Sequence, residues 1–111
     1  MFSAMISMSE FRRVEMRVGR VVKAEKVPQS DKLLRLVVDF GGVRKSVITG
    51  LAHLYPPEHF VGRLFAFATN LEARKIRGEV SEAMLLTAVE DEDKIVPLVP
   101  EKEVKEGASV M

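Results

Sequence analysis

The sequence contains no cysteine, no tryptophan and only one tyrosine in 111 residues. Without cysteine there is no thiol nucleophile, no thiolate metal site and no disulfide staple, which fits a reducing compartment and makes the cytoplasm the expected location. No apolar run reaches the roughly 18 to 20 residues that span a bilayer, so no membrane partner is expected. The opening MFSAMISM lacks the basic start and the long apolar stretch of a secretion signal. Histidine is scarce too. His53 and His59 stand six apart, on different sides of any helix, and the nearest acid, Glu58, adjoins only one of them. Neither a metal site nor a catalytic triad is expected. Gly41-Gly42 lacks the spaced partner and the following Lys-Ser or Lys-Thr of a phosphate-binding loop. The chain therefore reads as a non-enzyme, with no catalytic residues and no cofactor.

Positive charge is plentiful and unevenly placed. Between Phe11 and Gly78 fourteen Lys and Arg face six Asp and Glu, a balance of +8, while from Glu79 onward three Lys face nine acids, a balance of −6. A basic body with an acidic end suits a polyanion bound on one face. The length allows one domain with its own core, assigned to residues 9–111. Residues 1–8 are set apart as an N-terminal extension without expected structure, and Met5 and Met8 are as suitable as starts as Met1.

The hydrophobic pattern is that of an all-β chain. Val14, Met16 and Val18 alternate with Glu15 and Arg17, the period-two signature of a half-buried strand. The phase slips after Gly19, which predicts a bulge or bend there. KVPQSDK, 26–32, is turn chemistry. Leu34, Leu36, Val38 and Phe40 form a second alternation, and Gly41-Gly42 predicts a hairpin into a third strand, 43–50. The stretch 51–61, with its two prolines, predicts a short helix. RLFAFATN, 63–70, is a nearly wholly apolar fourth strand, and MLLTAV, 84–89, a fifth. EDED, 90–93, is a turn, and KIVPLVP a last strand whose Pro97 belongs at an edge or bulge. A bent first strand and a helix between the third and fourth are the layout of the OB-fold, a five-stranded Greek-key barrel, here with extra C-terminal strands. The helix tells against an SH3-like barrel.

Between the fourth and fifth strands lies NLEARKIRGEVSEAM, 70–84, with three cations in four residues. They are either a solvated loop or a docking place for an anion. The aromatics narrow the choice of anion. Phe40, Phe65 and Phe67 fall on core-phased strands, and Tyr55 and Phe60 in the segment that caps the barrel. No aromatic platform is left on which single-stranded bases would stack. A basic, aromatic-poor surface instead suits a folded RNA recognised by backbone shape.

VEMRVGRVVKAE (14–25), SDKLLRLVVDFG (30–41), TGLAHLYPPE (49–58) and NLEARKIRGEVSEAMLL (70–86) together resemble the tRNA-binding domain family. The resemblance implies an OB-fold module, commonly a homodimer, that grips the outer corner of the tRNA L by shape, catalyses nothing and adds affinity to an aminoacyl-tRNA synthetase, here the methionyl enzyme. It implies that Asn70, Arg74, Lys75 and Arg77 form the basic RNA-binding loop, that Ser81 and Met84 form its Ser-x-x-Met segment, and that Lys32 and Arg35 assist. Arg74, Lys75 and Arg77 can neutralise phosphates, Asn70 and Ser81 can bond phosphate or ribose oxygens, and Met84 offers a flexible apolar contact; Met84 is otherwise the first core residue of its strand. Ala83 stands where many members of the family have glycine. Ile95, Val96, Leu98 and Val99 are the expected surface between two copies. Two other functions are open: an export-chaperone-like binder of unfolded polypeptide with the same dimeric fold, and a protein-interaction module that docks on a synthetase.

Overall fold

The computed structural model describes residues 4–111. Alternation in the first run produces β1 (Met16–Lys26), eleven residues that serve two neighbours in turn. Residues Met16 to Arg20 pair antiparallel with β4 (Leu64–Ala68), and Arg20 to Lys26 with β2 (Leu34–Asp39). The irregularity expected in this strand is present as a register shift, but between Val21 and Lys23 rather than at Gly19. Gly19 has a different cause. A Cβ there would sit 2.5 Å from Val38 Cγ1 and 2.6 Å from Phe40 Cε1, so the core presses directly on its backbone.

β2 buries Leu34, Leu36 and Val38 and returns through Gly41-Gly42 into β3 (Arg44–Thr49). Both glycines have positive φ, and the Asp39 carboxylate accepts hydrogen bonds from both of their N–H groups. The helix expected over 51–61 is reduced to turns and one 3-10 turn, Pro57–His59. Two adjacent prolines explain the difference: each lacks an N–H, and Pro57 forces Pro56 into extended backbone, ψ 157°. The segment still caps the barrel, with Leu51 and Phe60 buried.

β4 is buried at all five positions. Phe65 and Phe67 enter the core, while Ala66 lies under the C-terminal segment, its N–H donating to Leu98 O at 3.0 Å. Residues 70–84, read as a loop, carry a small hairpin, β5 (Arg74–Ile76) and β6 (Glu79–Ser81). The single strand expected over 84–89 is split. β7 (Met84–Leu85) pairs with β4, and β8 (Thr87–Asp91) leaves the barrel to pair with β9 (Lys94–Pro97). Glu90 and Asp91 thus belong to a strand, and the turn is confined to 92–93. Pro97 ends β9 in that two-stranded ribbon, where no further strand needs its N–H. β10 (Ser109–Val110) pairs with the start of β1.

The sheet order is β3-β2-β1-β4-β7. It closes where Glu82 N–H donates to Ser46 O at 2.8 Å and Ser46 N–H donates to the Glu82 carboxylate at 2.9 Å. The result is a nearly closed five-stranded barrel of OB type with extra C-terminal strands. Ser7, in the extension 1–8 expected to lack structure, caps one helical turn, α1 (Met8–Phe11), which crosses into the assigned domain, in a reciprocal bond with Glu10. Residues 1–3 of that extension lie outside the described residues.

Candidate nucleic-acid interface

The β5–β6 hairpin is joined by two residues, Arg77 and Gly78, both at positive φ (54° and 82°), since Ile76 pairs with Glu79. That is the primed turn whose twist matches the flanking strands. Gly78 adopts it freely, whereas Arg77 bears roughly 1 to 2 kcal/mol of left-handed strain. The turn lifts Arg77 to the hairpin tip, with Arg74 and Lys75 on the rising strand. All three are exposed, and none takes an ion pair among the described residues.

Three arginines elsewhere in the basic body are occupied. Arg20 is held by Glu103 and Glu106 of the acidic tail, which places that tail's counter-charge on β1. Arg17 pairs with Glu15 at 3.1 Å. These contacts hold the Glu15 and Glu106 carboxyls below the ordinary carboxylate range, through hydrogen bonds from Arg17 and Arg20 respectively. Arg35 is bonded to Glu25 and lies 3.8 Å from Glu79, so its charge is largely answered from within the protein.

Lys32 is exposed and stands near the hairpin. Its loop (Ser30, Asp31, Lys32, Leu33) and the turn residues Ile76 and Arg77 line a cleft of about 300 Å³. Ser30 Oγ accepts from Leu33 N–H at 3.2 Å and keeps this loop folded.

The remaining expected contacts are placed differently. Ser81 is 2% exposed; its hydroxyl accepts from Ile48 N–H at 3.0 Å and donates to Ala83 O at 2.9 Å. It ties β6 to β3 at the closure of the barrel and faces away from solvent. Asn70 is exposed, yet its amide oxygen accepts from Glu15 N–H at 2.8 Å and its amide nitrogen donates to Arg13 O at 2.6 Å. Met84 is 39% exposed beside Ala68, so it is not the first core residue of its strand; Leu85 is. Ala83 is buried in the core cluster, so its methyl does not face the hairpin's outer surface. Glu82, which no sequence pattern singled out, fastens the closure through Ser46.

Neither histidine joins a metal cluster; among the described residues no group of His, Cys, Asp and Glu is arranged to hold an ion. His59 stacks at 4.6 Å on Tyr55, and burial followed by the nearby Arg63 charge lowers its pKa. Among the described residues no helix is long and apolar enough to cross a membrane.

The family model described as "Putative tRNA binding domain" matches residues 16–109. The chain belongs to the tRNA-binding domain family. It is 41% identical over 105 residues to the methionine–tRNA ligase of Parabacteroides distasonis, which covers 95% of this chain. The chain spans only 16% of that enzyme's length, so the likeness is to one segment of the ligase. Among solved structures, a MetRS-related protein from Pyrococcus horikoshii superposes with a TM-score of 0.93 at 37% identity, over 98% of this chain and 100% of the other. The chaperone CsaA of Bacillus anthracis superposes with a TM-score of 0.88 at 28% identity, over 97% and 100%.

Proposed function

We propose that this domain binds folded tRNA without catalysing a reaction, by laying the outer corner of the L against the β5–β6 hairpin, and that it thereby raises the tRNA affinity of an aminoacyl-tRNA synthetase, the methionyl enzyme, in the cytoplasm. The observation that carries the reading is the concentration of unanswered charge on one short hairpin. Arg74, Lys75 and Arg77 stand exposed without an ion pair among the described residues, while Arg17, Arg20 and Arg35 are answered by the protein's own acids. Lys32 across the cleft adds a fourth cation, Met84 an apolar contact and Arg35 a partly neutralised one. Ser81 supports the surface from within, and Asn70 through its bonds to Glu15 and Arg13. Lys75→Ala should weaken all tRNAs alike and flatten log K against log salt by about 0.7 to 0.9. Unequal losses between tRNA species would mean base readout and contradict recognition by shape.

A homodimer would present two such surfaces to one tRNA. The apolar groove lined by Val18, Ala66, Leu98, Val99, Val104 and Val110 favours it, and two of the expected interface residues, Leu98 and Val99, line that groove. A monomer in sedimentation at micromolar concentration would remove this part. The likeness to CsaA supports one rival, the binding of unfolded polypeptide. Direct competition decides it: a denatured protein that displaces tRNA from the purified domain favours the chaperone reading. Co-purification with a synthetase combined with no retention of tRNA at low salt would favour a docking module.

A further inference from the structure

The segment ahead of β1 is fastened to the root of the basic hairpin. Both functions of the Asn70 amide are spent on it, one on Glu15 N–H and one on Arg13 O. Thr69, 5% exposed, doubles the attachment: its N–H donates to Glu15 O at 2.8 Å and its hydroxyl to the Glu15 carboxylate at 2.8 Å. The fastened segment carries Arg12 and Arg13, both exposed and without an ion pair among the described residues. Lys45, whose ammonium donates to Thr69 O at 3.2 Å, adds charge at the same junction. From Asn70 to Arg74 the chain advances four residues, at most about 14 Å. Double-stranded DNA carries a charge about every 1.7 Å of its axis and an RNA duplex is charged at a comparably short spacing, so several phosphates of one helical segment fall within that span.

We propose that Asn70 is a positioning residue: it clamps the segment that bears Arg12 and Arg13, so that these two arginines extend the phosphate-binding surface beyond the hairpin. Asparagine suits the task because its amide donates and accepts at once, which a carboxylate at neutral pH does not. The proposal rests on the RNA-binding reading above.

The test is salt-titrated tRNA binding by the full chain. Arg12→Ala with Arg13→Ala should flatten the slope of log K against log salt by about 1.4 to 1.8, twice the effect of one cation. Lys94→Ala, remote in the C-terminal ribbon and paired with Glu90, should leave it unchanged. Asn70→Ala should weaken binding in the otherwise unaltered protein and add nothing in the double-arginine background. A further loss there would mean that Asn70 touches RNA itself, which overturns the clamp. An unchanged slope in the double-arginine variant while Lys75→Ala flattens its own would overturn the extension and leave the tRNA reading standing. An unchanged slope in both would overturn the tRNA reading. Should Asn70→Ala melt at the assay temperature, the two exposed arginines still decide the extension, because they can be removed without disturbing the barrel.

Discussion

Replacing Ser81 by alanine separates a structural role from an RNA contact. The hydroxyl is the hydrogen-bond partner of Ile48 N–H at 3.0 Å and of Ala83 O at 2.9 Å, in a place that is 2% exposed. A methyl group leaves the Ile48 amide without its partner in a buried place, at about 1 to 3 kcal/mol. Unfolding entropy near 2.1 cal/mol/K per residue makes 1 kcal/mol worth about 4 °C for a chain of this length, so Tm should fall by about 4 to 13 °C. A domain with the usual 5 to 15 kcal/mol of stability stays folded at room temperature. Ser81→Ala measured by thermal melting and by tRNA binding at several salt concentrations should therefore lose Tm and keep the salt slope. An unchanged Tm with weakened binding at every salt concentration would refute this and return Ser81 to the RNA surface.

Gly19→Ala should destabilise by about 1 to 3 kcal/mol in denaturant titrations, because its Cβ would overlap Val38 and Phe40 in the packed core. Arg77→Gly should raise stability by up to about 1 kcal/mol through relief of its positive φ while weakening tRNA binding, a divergence that melting and binding assays read side by side. Asp39 is held below its ordinary value of 3.8 by the Gly42 and Gly41 amides, and Glu106 below 4.5 by Arg20. A carboxyl depressed in the folded state contributes fully above its unfolded pKa and loses that contribution as pH falls through the folded one. These carboxyls should therefore make Tm decline below about pH 4, after an earlier decline that begins as pH falls through about 6.5, where protonating the partly buried His59 costs stability; a rise on acidification would contradict this.

The barrel was legible wherever one face of a strand meets the core. Leu34, Leu36 and Val38 alternate with Arg35 because burial repeats every second residue, and the Gly41-Gly42 turn needs only local geometry. The β5–β6 hairpin is not legible in the sequence because its strands are three residues long, too short to show a period, and Arg-Gly is an uncommon primed turn. Over 51–61 the prolines suit a helix start by composition, but two in succession also remove both N–H groups and extend Pro56, so the segment forms only turns and one 3-10 turn. In the candidate site, the exposed cations could be read from composition. The engagements of Ser81 with Ile48 and of Asn70 with Glu15 could not, since the partners lie 33 and 55 residues away in sequence and only the closed barrel brings them together.

The most direct measurement is the affinity of the domain for folded tRNA and for an unstructured RNA of equal charge, each titrated with salt, before and after removal of Arg74, Lys75 and Arg77 together. A shaped basic hairpin predicts tighter binding of the folded RNA and a slope reduced by about 2.1 to 2.7 in the triple variant. Equal affinity for both RNAs, or a slope indifferent to the three cations, would contradict it.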